Sequence, residues 1–345
     1  MKSAVLLSQG KLVIEERQKP TLKNGEILIK VMAAGVCGTD VHIHEGGKGS
    51  AGVEYPIVLG HEYAGIVEEI GEEIGGDTHG FAVGDKVCID PNVLCGRCYY
   101  CLNGMGNFCE NMVISGIILD GGFQQYAVVP YRAAYKLQNH VSFQAGAMAE
   151  PLACCIHGVD LCEIKSGDAV IIIGGGLIGL LMTQLVKLSG AGYVVLIEPS
   201  KEKRDFAKKL GADLCLNPNE TNIENAAKNS GITRFGTIIE CVGKTQTIEL
   251  ALKIAGKKST VMMFGLTRPD ETVNVYPFDI FAKEITIKSS FINPYTIGRA
   301  VSLINNGKVD VTSMIAGSVP LSELENVLTN EELRGKGKFV VDPWK

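Results

Sequence analysis

The chain has 345 residues, enough for about two domains of the usual ~100–200 residues each. With 46% apolar residues, 21% charged residues and a net charge of −5, it reads as an ordinary folded core without the basic face that nucleic-acid binding needs. The opening MKSAVLLSQGKL has a lysine but no apolar stretch of signal-peptide length, so the expected compartment is the cytoplasm, where disulfides are rare.

Over residues 1–150, short alternating stretches split by glycines (EILIKVMAAGV, AGIVEEIG, GDKVCID, GGFQQYAVV) predict a β-rich domain with long loops. From about residue 165 the rhythm changes. AVIIIGG predicts a strand and LIGLLMTQLVKLSG a helix; YVVLIE, the helix SKEKRDFAKKLGAD and LCLN come next. TIIECVG, a helix around KTQTIELALKIA, STVMMFG and ITIKSSF continue the alternation, which predicts a parallel sheet with crossover helices, an α/β domain over 151–290. A helix near TIGRAVSLINNGK and a short C-terminal segment occupy 291–345. The run 169–188 is long and apolar enough to resemble a membrane span. Three consecutive glycines interrupt it and charged residues flank it, so a soluble protein without a membrane partner is expected.

The alternating half opens with Gly174-x-Gly176-x-x-Gly179, with Leu177 and Ile178 between the last two glycines. The first glycine permits a tight turn, the second lets a pyrophosphate approach the backbone, and the third lets helix and strand pack closely. Phosphate then rests on the helix N-terminus. Glu198 follows 24 residues after Gly174, at the end of the next strand. A carboxylate there binds both ribose hydroxyls and repels a 2′-phosphate, favouring NAD over NADP. Lys203 and Arg204 either soften that preference or form a solvated helix face.

Four of the eleven cysteines, Cys95, Cys98, Cys101 and Cys109, stand in CGRCYYCLNGMGNFC. Four thiolates close a tetrahedral zinc shell with no open position, which makes such a metal a scaffold. Iron–sulfur clusters use similar runs, but nothing else here suggests electron transfer, so zinc is expected. Chemistry then needs other ligands. CGTDVH (37–42) and GHEYAG (60–65) offer Cys37 and His61, a borderline-soft pair suited to a second zinc.

Taken together, CGTDxxH, GHExxG, the four-cysteine loop, GGFxxY (121–126) and the placed GxGxxG make the whole chain resemble the medium-chain zinc-dependent alcohol dehydrogenases. The resemblance implies a GroES-like β-rich catalytic domain, a Rossmann doubly wound cofactor domain, and a C-terminal segment that returns to the first domain. It also implies that Cys37 and His61 ligate a catalytic zinc, that Glu62 is an alternating or adjacent carboxylate, and that Asp40 orients the imidazole of His61. Glu150, in AEPLACCIHG, stands where liver-type relatives carry a third cysteine. That departure points to the sorbitol dehydrogenase-like branch, with Glu150 completing the shell directly or through water. Cys154, beside Cys155, falls where the family lines the nicotinamide pocket.

By position, the resemblance adds further cofactor contacts: Cys241, Val242 and Gly243; Phe264, Gly265 and Leu266; Ser289, Ser290 and Phe291; Lys203; and Lys338 on the pyrophosphate. Asn293 and Tyr295 either line the pocket or are plain loop residues. Thr39 and His42 would relay the substrate proton outward, with a route through a zinc water held by Glu62 or Glu150 as the competitor.

The implied activity is NAD-dependent interconversion of a secondary alcohol and a ketone by a homo-oligomer, a tetramer in preference to a dimer. The substrate would be a polyol or sugar alcohol, phosphorylated or not. Threonine dehydrogenases share CGTDVH and GHEY. A non-catalytic zinc-stabilised redox sensor is the rival outside enzymes, although such a protein would be expected to lose Cys37, His61 or Glu150.

Overall fold

Glu26–Gly35 (EILIKVMAAG), buried along most of its length, is the central strand of the first of two compact units. The structure, a computed structural model, describes residues 1–49, 51–71 and 80–345. The first unit comprises Met1–Ala153 with Pro294–Lys345, and the second Cys154–Asn293.

In the first unit, Glu26–Gly35 pairs antiparallel with Glu62–Ile70, Tyr126–Pro130 and Lys338–Val341. Ile315–Val319 runs parallel to Lys338–Val341, so the end of the chain closes the sheet begun at its start. Leu6, Ile29, Tyr63, Phe123 and Leu324 fill the core beneath it. The register sets Gly35 opposite both Glu62 and Val340. Three strands therefore deliver Cys37, Glu62 and Lys338 to the same end of the sheet. Helix Gly38–His44 starts directly after Cys37. A two-stranded ladder, Asn92–Val93 with Val113–Ile114, closes the base of the cysteine loop.

The second unit is a six-stranded, fully parallel sheet. Its order is Leu214–Leu216, Tyr193–Ile197, Ala169–Ile173, Thr237–Glu240, Thr260–Met263 and Thr286–Ser289. Its inner strands are apolar on both sides, as helix-covered strands must be. The chain enters in the middle, builds outward to one edge, then returns to build the other. The switch lies between Ala169–Ile173 and Thr237–Glu240, where doubly wound sheets open a crevice at the carboxyl ends of the strands. The apolar run 169–188 divides into strand Ala169–Ile173 and helix Leu177–Leu188. No helix among the described residues is long and apolar enough to cross a membrane.

Candidate metal centres and dinucleotide site

Cys37 lies two residues beyond the central strand and caps helix Gly38–His44, whose third residue is Asp40. Asp40 is fully buried. Its Oδ2 accepts from the Cys37 amide at 2.8 Å and its Oδ1 from the Gly60 amide at 3.3 Å. The same Oδ1 lies 3.4 Å from His61 Nδ1, which leaves Nε2 as the nitrogen available to a metal. Burial alone would lower the His61 pKa, but Asp40 and then Cys37 outweigh it and hold it well above the usual histidine value. A metal needs the neutral ring, so this preference for the proton means metal affinity falls as pH falls.

Ligand atoms of Cys37, His61 and Glu62 all lie within 4.8 Å of one another. One sulfur, one nitrogen and one oxygen, buried or half-buried, match the kinds of donor a catalytic zinc takes from a protein. Glu150 is buried in the first turn of helix Ala149–Cys162 but does not join that group. Thr39 is half-buried and His42 exposed, three positions apart on the helix that Cys37 caps.

Lys338, expected at the pyrophosphate, has a partner within its own unit. It is buried in the first unit with Nζ paired to Glu62 Oε2. Burial works against its charge, yet Glu62 and then Cys37 hold its pKa above the usual lysine value. The reason is register: the strand that carries Lys338 packs against Gly35, which faces Glu62.

Cys95, Cys98, Cys101 and Cys109 also bring their sulfurs within 4.8 Å of one another, and Cys95 Sγ is 4.0 Å from Cys101 Sγ. Zinc–sulfur bonds of about 2.3 Å put tetrahedral ligands roughly 3.8 Å apart, so the four thiols suit a single ion rather than a multi-iron cluster. Backbone amides of Arg97 and Cys98 lower the Cys95 pKa to about 6, and those of Cys101 and Glu110 lower that of Cys98, whereas burial and then the neighbouring thiols push Cys101 up to about 12. None of the eleven cysteines forms a disulfide. Tyr295 serves this loop, donating its hydroxyl to the Cys101 carbonyl at 3.3 Å.

In the second unit, the glycine turn joins strand Ala169–Ile173 to helix Leu177–Leu188. Gly174 has φ +105°, and a Cβ on Gly179 would overlap the Gly174 carbonyl. Gly176 differs: a Cβ there meets nothing within 4 Å. Open space beside uncapped helix amides is a cradle that suits a pyrophosphate. Glu198 Oε2 accepts from the Gly175 amide at 2.7 Å and Oε1 from the Ser200 amide at 2.8 Å, so this carboxylate also braces the turn. Arg204 Nη1 donates to the carbonyls of Glu198 and Pro199. Lys203 is half-buried on the same helix.

Cys241, Val242 and Gly243 follow strand Thr237–Glu240, and Phe264, Gly265 and Leu266 follow Thr260–Met263. A Cβ on Gly243 would meet Leu266 backbone at 2.5 Å, so the two turns touch. Phe264 turns its ring to Gly158. Ser289 ends the edge strand, followed by Ser290 and Phe291. The sequence reading passed over Glu240, a fully buried carboxylate that accepts from the amides of Val242 and Gly243 and from Thr247 Oγ1. Its signal was available: an acid closing the apolar strand TIIE immediately before a glycine turn.

Residues 23–139 match the family described as alcohol dehydrogenase GroES-like domain, and residues 178–306 the one described as zinc-binding dehydrogenase. The chain is 30% identical to D-arabinitol dehydrogenase 1 of Uromyces fabae, across 94% of this chain and 92% of that one. It is 32% identical to an Aspergillus fumigatus protein assigned as D-xylulose reductase A, across 97% and 94%. Among solved structures it resembles a Sinorhizobium meliloti 1021 protein assigned as a zinc-binding dehydrogenase and bound to NADP (TM-score 0.93, 36% identity, 99% of each chain). It also resembles the alcohol dehydrogenase rspB of Escherichia coli CFT073 complexed with NADH (TM-score 0.89, 29% identity, 99% of each chain).

The two glycines should separate packing from binding. Gly179→Ala is expected to lower the unfolding free energy by roughly 1–3 kcal/mol, the usual cost of overpacking. Gly176→Ala should leave stability close to the parent while weakening dinucleotide binding. Urea unfolding and NADH fluorescence titration read the two effects, and a Gly176→Ala protein that binds NADH like the parent contradicts the cradle.

Proposed function

The chain belongs to the medium-chain zinc-dependent alcohol dehydrogenases, in their sorbitol dehydrogenase-like branch, and from that premise we propose that it oxidises a secondary hydroxyl of a polyol or sugar alcohol with NAD. The observation that carries this reading is the Cys37–His61–Glu62 donor set. The names of the arabinitol and xylulose relatives support the substrate class. The reaction converts the alcohol to a ketone and NAD to NADH, with one proton released.

Bound zinc would supply Lewis acidity toward the hydroxyl oxygen, and the nicotinamide would take the hydride. The residues do the rest. Asp40 holds the His61 ring so that one nitrogen faces the metal. Glu150, outside the ligand group, acts through water. Thr39 Oγ1 takes the hydroxyl proton and passes it toward His42, whose exposed imidazole delivers it to solvent. The four-cysteine site holds a second, structural zinc.

NAD is proposed over NADP because Glu198 would set its negative charge against a 2′-phosphate. Arg204, engaged with two carbonyls, supports that preference, and Lys203 opposes it. Self-association is also proposed. Strand Thr286–Ser289 is a sheet edge, and Leu266, Tyr276, Phe278, Phe281 and Ile287 stand exposed in or near it. An unpaired edge with exposed aromatics suits a second copy about a twofold axis, and two such pairs would make a tetramer. Eleven cysteines without a disulfide suit a reducing cytoplasm.

Elemental analysis of active protein should find two zinc ions per chain. Cys98→Ser should lose one and unfold more easily; Cys37→Ser should lose the other, keep its circular dichroism and have no turnover. A single zinc in fully active parent contradicts this.

Glu198→Ala should narrow the NAD preference, weakening NAD and admitting NADP. Steady-state kinetics with both cofactors decide, and a parent with the higher kcat/KM for NADP overturns the assignment.

His42→Ala should slow alcohol oxidation at pH 7 by roughly tenfold, toward the lower end of what positioned proton transfer supplies, with much of the loss recovered at high pH. A pH–rate profile that overlays the parent's shows that the proton leaves by another route.

A further inference from the structure

Glu62 has two claimants. Its side chain is 1% exposed and that of Lys338 is 4% exposed, and Lys338 Nζ pairs with Glu62 Oε2. Glu62 also contributes an oxygen to the group it forms with Cys37 and His61. The sheet makes room for the pair. A Cβ on Gly35 would overlap Glu62 Oε2 and lie 2.8 Å from Lys338 Cε. The position between the two strands therefore has to stay without a side chain while the pair is in place.

Burying two opposite charges is costly, and an apolar pair of the same size would often serve stability as well. The position of this pair suggests another role. We propose that Lys338 is a positioning residue that shares Glu62 with the metal: it keeps Oε2, leaves a single oxygen to the ion, and so moderates how tightly the Cys37 centre holds zinc. This rests on the reading of Cys37, His61 and Glu62 as metal ligands.

The sign of the effect separates sharing from support. A partner that merely oriented a ligand would, when removed, cost roughly 10–100-fold in metal affinity. Removing a cation that shares the ligand does the opposite. It frees Oε2 for the ion and leaves a buried carboxylate that the metal alone can neutralise.

The test uses intact protein with cobalt(II) at the Cys37 centre and zinc retained at the four cysteines. Lys338→Met is expected to slow extraction of cobalt by dipicolinate by roughly tenfold, reversing the usual outer-partner effect. Its visible absorption should also weaken as a further oxygen enters the shell. Lys338→Arg should stay near the parent in both. Extraction that is unchanged or faster overturns the proposal. Should Lys338→Met not fold, a crystal structure of the zinc-loaded parent decides. Lys338 Nζ on Oε2 with one Glu62 oxygen on zinc supports sharing; both oxygens on zinc, or Lys338 turned away, overturns it. A parent with no metal at Cys37 overturns the metal reading itself and the proposal with it.

Discussion

Asp40 is a carboxylate shut away from solvent, and its partners are drawn from two separate stretches of chain. The amides of Cys37 and Gly60 donate to it, and the imidazole of His61 faces it. A buried charge without such partners would cost several kcal/mol or lose its charge. The carboxylate therefore fixes the distance between the end of the central strand and the start of Glu62–Ile70. It also fixes the ring orientation of His61. Cys37, His61 and Glu62 converge because the Gly35–Glu62 pairing and this side chain together hold both segments.

The remainder of the first unit separates holding from reacting. Four thiols surround one position completely, with peptide amides aimed at two of the sulfurs, so that site suits a metal that never meets substrate. The Cys37 group offers three donors of three kinds, which suits a metal that also meets substrate. The second unit applies the same economy at its glycine turn. Gly179 is needed for packing, Gly176 leaves space, and Glu198 ties the turn to the end of the neighbouring strand.

What the sequence disclosed was mostly local. The cysteine run and Gly174–Gly179 carry their geometry in their spacing, and the strand–helix rhythm after residue 165 follows from apolar periodicity. What it hid was mostly long-range pairing. Nothing near Lys338 in the chain reveals that its strand lies against Gly35 and that its ammonium pairs with Glu62. Tyr295 finds Cys101 across 194 residues. Helices Ile223–Asn229 and Pro277–Lys283 went unforeseen because neither presents a long apolar stripe; the first buries only Ile223 and Ala227, the second no residue fully. Glu240 was visible in TIIECVG, yet its role depends on a turn whose closure appears only in the fold.

The most direct measurement of the central claim is anomalous diffraction at the zinc edge from crystals grown without chelator. The account predicts two peaks per chain. One lies among the sulfurs of Cys95, Cys98, Cys101 and Cys109, and the other at bonding distance, about 2.0–2.3 Å, from Cys37, His61 and one oxygen of Glu62. A peak at the four cysteines alone, from protein that turns over a polyol, would contradict it.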